Sequence, residues 1–235
     1  MTKSTYVVLD LETTGLDYTK EQITEIGAIK LNYKFEEIDR YHTLVSLEEG
    51  RELSEFITKL TGITAEDLEG KPTEEEALRG LAEYVKDSIV VAQNAPFDLS
   101  FISRGGIEPD TFICTRALAR YVEPELSASL KDVTKRNGIK LDGHHRSMND
   151  VEATIEVLKT YLYEIDHDIY DPYNVVLDEP SRPLKFTPKN AIVRTVSHVA
   201  LDSEDLMQIF RELPKGEPIT KKIGNILYRK MEGRA

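Results

Sequence analysis

Asp10 and Glu12 interrupt an apolar run, Val7-Val8-Leu9-Asp10-Leu11-Glu12, that stops at Thr13-Thr14-Gly15. In a strand, residues i and i+2 share a face, so the two carboxylates project side by side and repel. A raised pKa on one acid would offset that repulsion, and so would a cation held between them. A solvated strand edge would relieve it too, but the flanking Val-Val-Leu points to a strand buried on both sides, where unpaired acids are costly.

Further oxygen ligands are present. Asn94-Ala95-Pro96-Phe97-Asp98 puts an acid just beyond the strand expected at Ser88 to Ala92, where open α/β sheets place their sites. The run HHRSMNDVEAT, residues 144 to 154, supplies His145 and Asp150. Five residues at about 100° each leave these two roughly 140° apart around a helix axis, so they do not share a helix face. With Ser147 as N-cap, Asp150 falls in a rigid first turn and His145 on the loop before it, beside Gly143. A rigid acid suits a ligand and a looser histidine suits a proton carrier. Asp98 as a helix N-cap and Asp150 as a dipole partner are the plainer roles, and both are compatible with ligation. His144 is the alternative to His145 as a base.

The elements that must hold these residues follow from the pattern. Strands are expected over Gln22 to Leu31 and Arg40 to Val45, with turns at Gly15-Leu16-Asp17 and near Asn32. Thr73 to Glu76 forms a capping box ahead of Ala77, Leu78, Leu81, Ala82 and Val85 at helical spacing. A helix over Asp98 to Arg104 ends at Gly105-Gly106, a strand covers Asp110 to Thr115, and helices follow near Arg116 to Tyr121 and Ser129 to Asn137. The last strong helix runs from about Ser147 to Ile165 with a stripe of Val151, Ile155, Leu158, Leu162 and Ile165. Three strands followed by helix and strand alternation describe an α/β domain, a mixed β-sheet flanked by helices, over residues 1 to 168. Pro172, Pro180, Pro183 and Pro188 suit an extended linker over residues 169 to 190. A small C-terminal appendage, residues 191 to 235, could hold a strand, a helix and a strand.

Taken together, the residues resemble the DEDDh 3′-5′ exonucleases, the family that includes the proofreading subunit of bacterial DNA polymerase III. The match spans about residues 5 to 165. The motif D-x-E-T-T-G stands at Asp10 to Gly15, N-x-x-F-D at Asn94 to Asp98, and H-x4-D at His145 to Asp150, with smaller echoes in TEIGAI and FITKLTGIT. One such motif arises by chance in many chains, whereas three in order on an α/β domain are specific. The resemblance implies a ribonuclease H-like fold, two divalent metal ions, and stepwise release of nucleoside 5′-monophosphates from a 3′ end. Asp10, Glu12, Asp98 and Asp150 would be the ligands. Hard oxygen donors without cysteine favour Mg²⁺ or Mn²⁺ over Zn²⁺. Two such ions about 3.5 to 4 Å apart can hold the attacking water and the leaving 3′ oxygen, with His145 as general base. By the same resemblance, Thr13 and Leu16 would meet the terminal nucleotide through main-chain groups, Leu60 and Thr61 would lie near the 3′ base, and Asn94 and Phe97 would flank the metals. Relatives often carry a histidine where this chain has Thr61, and Pro96 replaces a small residue.

Composition bounds the rest. At 235 residues, with 40% hydrophobic and 31% charged residues, the chain can form one good core plus an appendage. It has no apolar stretch long enough for a membrane span. One cysteine, Cys114, rules out an internal disulfide, and the N-terminus shows no signal-peptide apolar region, so a cytoplasmic protein is expected. The net charge is −12 and uneven: residues 1 to 180 hold 19 Lys and Arg against 36 Asp and Glu, residues 181 to 235 hold 11 against 6. A 3′-end nuclease grips few phosphates and its metals return about +4 to the site, so metal-free protein should bind DNA poorly. The expected partner is a nucleic acid with a 3′ end, single-stranded DNA first. RNA digestion of the RNase T or oligoribonuclease kind is the rival within the enzyme class, and a non-catalytic module binding 3′ ends or a polymerase is the rival outside it. The basic tail, with Lys185, Lys189, Arg194, Lys221, Lys222, Arg229 and Lys230, could dock a polymerase or clamp, or could be a solvated surface.

Overall fold

In the computed structural model, residues 4–165, 167, 170–180 and 182–195 are described. Three antiparallel strands open the chain: β1 (Thr5–Thr13), β2 (Ile23–Leu31) and β3 (Glu37–Leu44). Short helices α1 (Glu55–Thr61) and α2 (Ala65–Leu68) lead to α3 (Glu74–Val85), which delivers β4 (Ser88–Ala92) parallel to β1. Helix α4 (Ala95–Ile102), a 3₁₀ turn at Ser103–Gly105, and β5 (Phe112–Cys114), parallel to β4, complete a sheet of order β3-β2-β1-β4-β5. Helices α5 (Thr115–Val122), α6 (Leu130–Arg136) and α7 (Ser147–Glu164) follow.

β1 therefore lies at the centre of the sheet, between β2 and β4, and Val7, Val8 and Leu9 are fully buried. This excludes the solvated-edge reading of Asp10 and Glu12. The capping box at Thr73 is present: its hydroxyl accepts from Glu76 N–H at 3.3 Å, and Glu76 returns its carboxylate to Thr73 N–H at 2.9 Å. Helix α7 packs against β1 and β2 of the sheet and against α5 and α6. Val157 and Tyr161 are accordingly buried along with the stripe of Val151, Ile155 and Leu158, while Leu162 is only partly covered. The helix begins so close to β2 that a Cβ on Gly27 would stand 2.6 Å from Ser147 Oγ and 2.9 Å from Met148 N.

Two expectations need correction. Ser147 is not the N-cap of α7: Arg146 occupies that position, without a side-chain cap, and Ser147 is the first helical residue. Residues 170 to 180 are not a free linker. Asn174 locks onto the edge of β5, accepting from Phe112 N through its side chain and donating its own N–H to Phe112 O, both at 2.8 Å. Val175, Val176 and Leu177 of β6 (Val175–Asp178) are buried, and β6 pairs in parallel with β7 (Ile192–Thr195). The prolines do keep helix out of this stretch, but composition does not register the apolar triplet between them. Buried Glu179 then binds both Arg116 and Arg120 of α5. The helix and final strand expected beyond residue 195, with Lys221, Lys222, Arg229 and Lys230, lie outside the described residues.

Candidate active site

The site forms where β1, α4 and α7 converge. Asp10 and Glu12 come from the same face of β1, with a register shift just after Glu12. Asp98, 3% exposed, sits in the first turn of α4 and accepts a hydrogen bond from the Leu11 backbone. It is not the helix N-cap: Asn94 holds that position and makes no side-chain capping bond. Asp150, 4% exposed, stands in the first turn of α7. Carboxylate oxygens of Asp10, Glu12 and Asp150 can be chosen that all lie within 4.8 Å of one another. Asp98 stands outside that tight triplet, yet its charge acts on both Asp10 and Glu12.

His144 and His145 stack at 3.8 Å between ring centroids. His144 Nδ1 lies 2.9 Å from both Asp150 oxygens, and the His145 backbone N–H donates to Asp150 Oδ2 at 3.3 Å. His145 adopts φ +70°, a left-handed backbone uncommon for a residue with a Cβ and often seen at functional loops. Both histidines therefore reach the acid cluster, and His145 does so on a loop that turns sharply into the helix.

The electrostatics describe a site short of positive charge. Burial, then Asp98, Asp150, Glu12 and Glu25, raise the Asp10 carboxyl well above its ordinary range. Burial and the charges of Asp150, Glu25 and Asp98 push Glu12 up to about 8, against the pull of Arg146. Burial drives Asp98 up to about 7, moderated by its backbone hydrogen bonds. His145 is lowered from 6.5 by burial and by His144, with Asp150 opposing. Carboxylates that resist ionising together are what a bound divalent cation would relieve, so the donor set fits a hard metal ion.

The other anticipated contacts divide. Leu16 is 70% exposed and Leu60 is 37% exposed, free to meet a ligand. The Thr61 hydroxyl is engaged within the protein: it donates to Ile57 O at 2.9 Å and accepts from Ile63 N–H at 3.1 Å, closing α1. Thr13 spends its hydroxyl on Gly15 O at 2.7 Å, which leaves main-chain groups for any ligand. Asn94 and Phe97 are partly buried, the latter against Phe101 with centroids 5.1 Å apart.

Glu25 belongs to this site although it lies in none of the three main motifs, only in the smaller echo TEIGAI. It is fully buried in β2, and it accepts hydrogen bonds from Arg146 Nη2 at 2.8 Å and Ser147 N–H at 2.9 Å. His42 Nε2 lies 2.9 Å from it. Burial alone would raise its pKa, but these partners hold it below the usual value, so it stays ionised. The sequence does carry a signal for it: an acid between Thr24 and Ile26 in an apolar strand has the same signature as Asp10.

Comparison with known proteins agrees with this geometry. A family model described as exonuclease, RNase T, matches residues 7–158. A DNA polymerase III of PolC type from Clostridium perfringens is 38% identical over 174 residues, which cover 71% of this chain and 12% of that protein. The Streptococcus pneumoniae PolC-type polymerase is 32% identical over 212 residues, 86% of this chain and 14% of its own. The chain thus spans about an eighth of the length of these relatives. Among solved structures, E. coli exonuclease I in complex with a dT13 oligonucleotide superposes with a TM-score of 0.60 at 20% identity, covering 71% of this chain and 42% of that one. The nuclease domain of 3′hExo, a DEDDh family member bound to rAMP, gives 0.58 at 18% identity, covering 69% and 94%. With the acids of the first and third motifs gathered, Asp98 acting on them from beside, and the exonuclease model matched over residues 7–158, the chain belongs to that exonuclease family.

Proposed function

We propose that the protein removes nucleoside 5′-monophosphates one at a time from the 3′ end of single-stranded DNA, with two Mg²⁺ or Mn²⁺ ions as cofactors. The observation that carries this reading is the convergence of Asp10, Glu12 and Asp150 oxygens within 4.8 Å, beside Asp98 and two histidines. Asp10, Glu12, Asp98 and Asp150 would hold the ions. When bound, they would supply positive charge to the phosphoryl oxygens and lower the pKa of the attacking water. His145, kept neutral by burial, accepts that proton as general base. Main-chain groups of Thr13 and of exposed Leu16 would meet the terminal nucleotide, Leu60 and Thr61 would lie near the 3′ base, and Asn94 and Phe97 would flank the metals.

The PolC-type relatives favour DNA and a role in proofreading or repair, and the basic residues 191 to 235 would be the segment that meets a polymerase or clamp. RNA is the second reading, favoured by the 3′hExo domain bound to rAMP. Both readings share one chemistry and differ in contacts to the 2′-hydroxyl. Incubation with 5′-labelled DNA and RNA of matched sequence, with Mg²⁺ or EDTA, tests them. A Mg²⁺-dependent ladder on DNA that Asp10→Ala abolishes supports the proposal, and a ladder on RNA alone moves the substrate class. No ladder on either overturns it in favour of a binding module. Among the described residues no helix is long and apolar enough to cross a membrane.

A further inference from the structure

On the β1–β2 ladder, Asp10 pairs with Gly27 and Glu12 pairs with Glu25. Directly opposed residues in an antiparallel pair share a face, so the two acids of β1 and these two residues of β2 form one four-cornered patch. The start of α7 lies on its β2 side. Gly27 makes room for Ser147 and Met148, and Glu25 reaches Arg146 and Ser147.

Helix α7 has no capping side chain of its own. Arg146 at the N-cap position makes no side-chain cap bond, and Ser147 Oγ is buried without a hydrogen-bond partner. A helix whose first N–H groups are buried needs an acceptor for them. We infer that Glu25 is a positioning residue for the nuclease centre: its carboxylate caps α7 from the neighbouring strand and, clamped by Arg146, fixes where Asp150 and His145 stand beside Asp10 and Glu12. Asp150 is three residues beyond Ser147 and His145 directly precedes Arg146, so both are held by groups that Glu25 binds. This role rests on the exonuclease reading only for its catalytic consequence.

Glu25 is distinct from the four acids assigned to metal. Its oxygens are already taken by a guanidinium, a backbone N–H and His42, which leaves it supporting the donor set rather than joining it. Residues that orient metal ligands in this way change metal affinity or activity by about 10- to 100-fold when removed.

The test compares wild type with Glu25→Gln and Glu25→Ala, using Mn²⁺ binding to DNA-free protein by electron paramagnetic resonance, kcat and KM on a labelled oligonucleotide, and thermal melting to score folding. The inference expects Glu25→Ala to weaken Mn²⁺ binding about tenfold or more and to lower kcat with KM within about twofold. Glu25→Gln, which keeps an acceptor for Ser147 N–H but loses the charge opposite Arg146, should fall between. If Glu25→Ala does not fold, Glu25→Gln and Arg146→Lys, which loses the two-pronged contact, decide the matter. Folded variants with wild-type Mn²⁺ affinity and kcat would overturn it, as would activity loss that only follows the unfolded fraction. Wild type inert on DNA and RNA would sink the exonuclease reading, while the Mn²⁺ arm would still judge Glu25.

Discussion

Glu12 and Glu25 face one another across the β1–β2 ladder and are treated in opposite ways. Glu25 is held below the ordinary carboxylate range by Arg146, His42 and the Ser147 N–H despite complete burial, whereas burial and neighbouring acids push Glu12 up to about 8. The protein thus satisfies one acid with its own donors and leaves its neighbour in want of a cation. That division separates the acid that builds the site from the acids that use it.

The first prediction concerns pH and metal. Glu12 and Asp98 have folded values of about 8 and about 7, above their ordinary 4.5 and 3.8. A raised acid makes the folded state bind more protons than the unfolded one, so its contribution is full below the unfolded value and is lost as pH rises through the folded value. Metal-free protein should therefore melt at progressively lower temperature between about pH 5 and about pH 8.5. Millimolar Mg²⁺ or Mn²⁺ should restore more at about pH 8.5 than at about pH 5.5, because the ions compete with protons for these oxygens. Calorimetry across that range, with and without EDTA, checks both slopes, and a melting temperature that rises with pH in EDTA would contradict the site's electrostatics.

The histidines should separate by size of effect. His145 precedes α7 on the strained turn, and its pKa lies below 6.5, so it is neutral and ready to accept a proton at neutral pH. His145→Ala should lower kcat by about 10²- to 10⁴-fold, the range for loss of a general base. His144→Ala removes a hydrogen bond to Asp150 and should cost about tenfold, the low end of the range for groups that orient a ligand. The wild-type rate should fall on the acid side below pH 6.5 as His145 gains a proton. A larger loss from His144→Ala than from His145→Ala would exchange their roles.

Gly27 tests the seat of α7. An added Cβ would meet Ser147 Oγ at 2.6 Å and Ser147 C and Met148 N at 2.9 Å, and the latter two are backbone that does not swing aside. Gly27→Ala should therefore destabilise by about 1–3 kcal/mol, as overpacking does, and lift α7 with Asp150 on it. Urea melts give the first quantity. The second appears as reduced Mn²⁺ affinity in protein that is still folded, and retention of full affinity would show that the helix seat and the metal site are independent.

Much of the fold and the site is legible in the amino-acid sequence, for physical reasons that differ by element. Asp10 and Glu12 can be read because acids within an apolar strand are costly and so demand an explanation. Asp98, His145 and Asp150 follow from order and spacing along the chain. Glu25 carries the same cost, but the partner that settles it, Arg146, is 121 residues away, and local pattern does not join them. Ser147 reads as the cap of α7 for the same reason: the true acceptor comes from another strand. Thr61 reads as a ligand contact through the resemblance of the stretch FITKLTGIT, and local pattern does not reveal that its hydroxyl also closes its own helix. The prolines of residues 172 to 188 signal correctly what the segment avoids, helix, and are silent on what Val175, Val176 and Leu177 bury against.

That packed segment yields the last prediction. Glu179 is 4% exposed and binds Arg116 and Arg120, whose side chains are 12% and 19% exposed, so two guanidinium groups of α5 share one carboxylate from the stretch after β6. Removing the acid leaves two mostly buried positive charges without their partner, which costs more than the ion pair itself contributes. Glu179→Ala should destabilise by about 3–5 kcal/mol, the range for breaking a buried pair on one side. Tyr170, stacked on Tyr121 at 3.8 Å, and Asn174, bonded to both backbone groups of Phe112, should keep the neighbouring chain docked. Cleavage by a protease in the variant should then begin near residues 180 to 190 before the sheet is attacked, with mass spectrometry locating the first cut. Replacing Glu179, Arg116 and Arg120 together with methionine should recover most of the loss, since apolar groups of similar volume carry no stranded charge. A triple variant as unstable as Glu179→Ala would show that the shape of the clamp, rather than its charge, holds the segment to the nuclease domain.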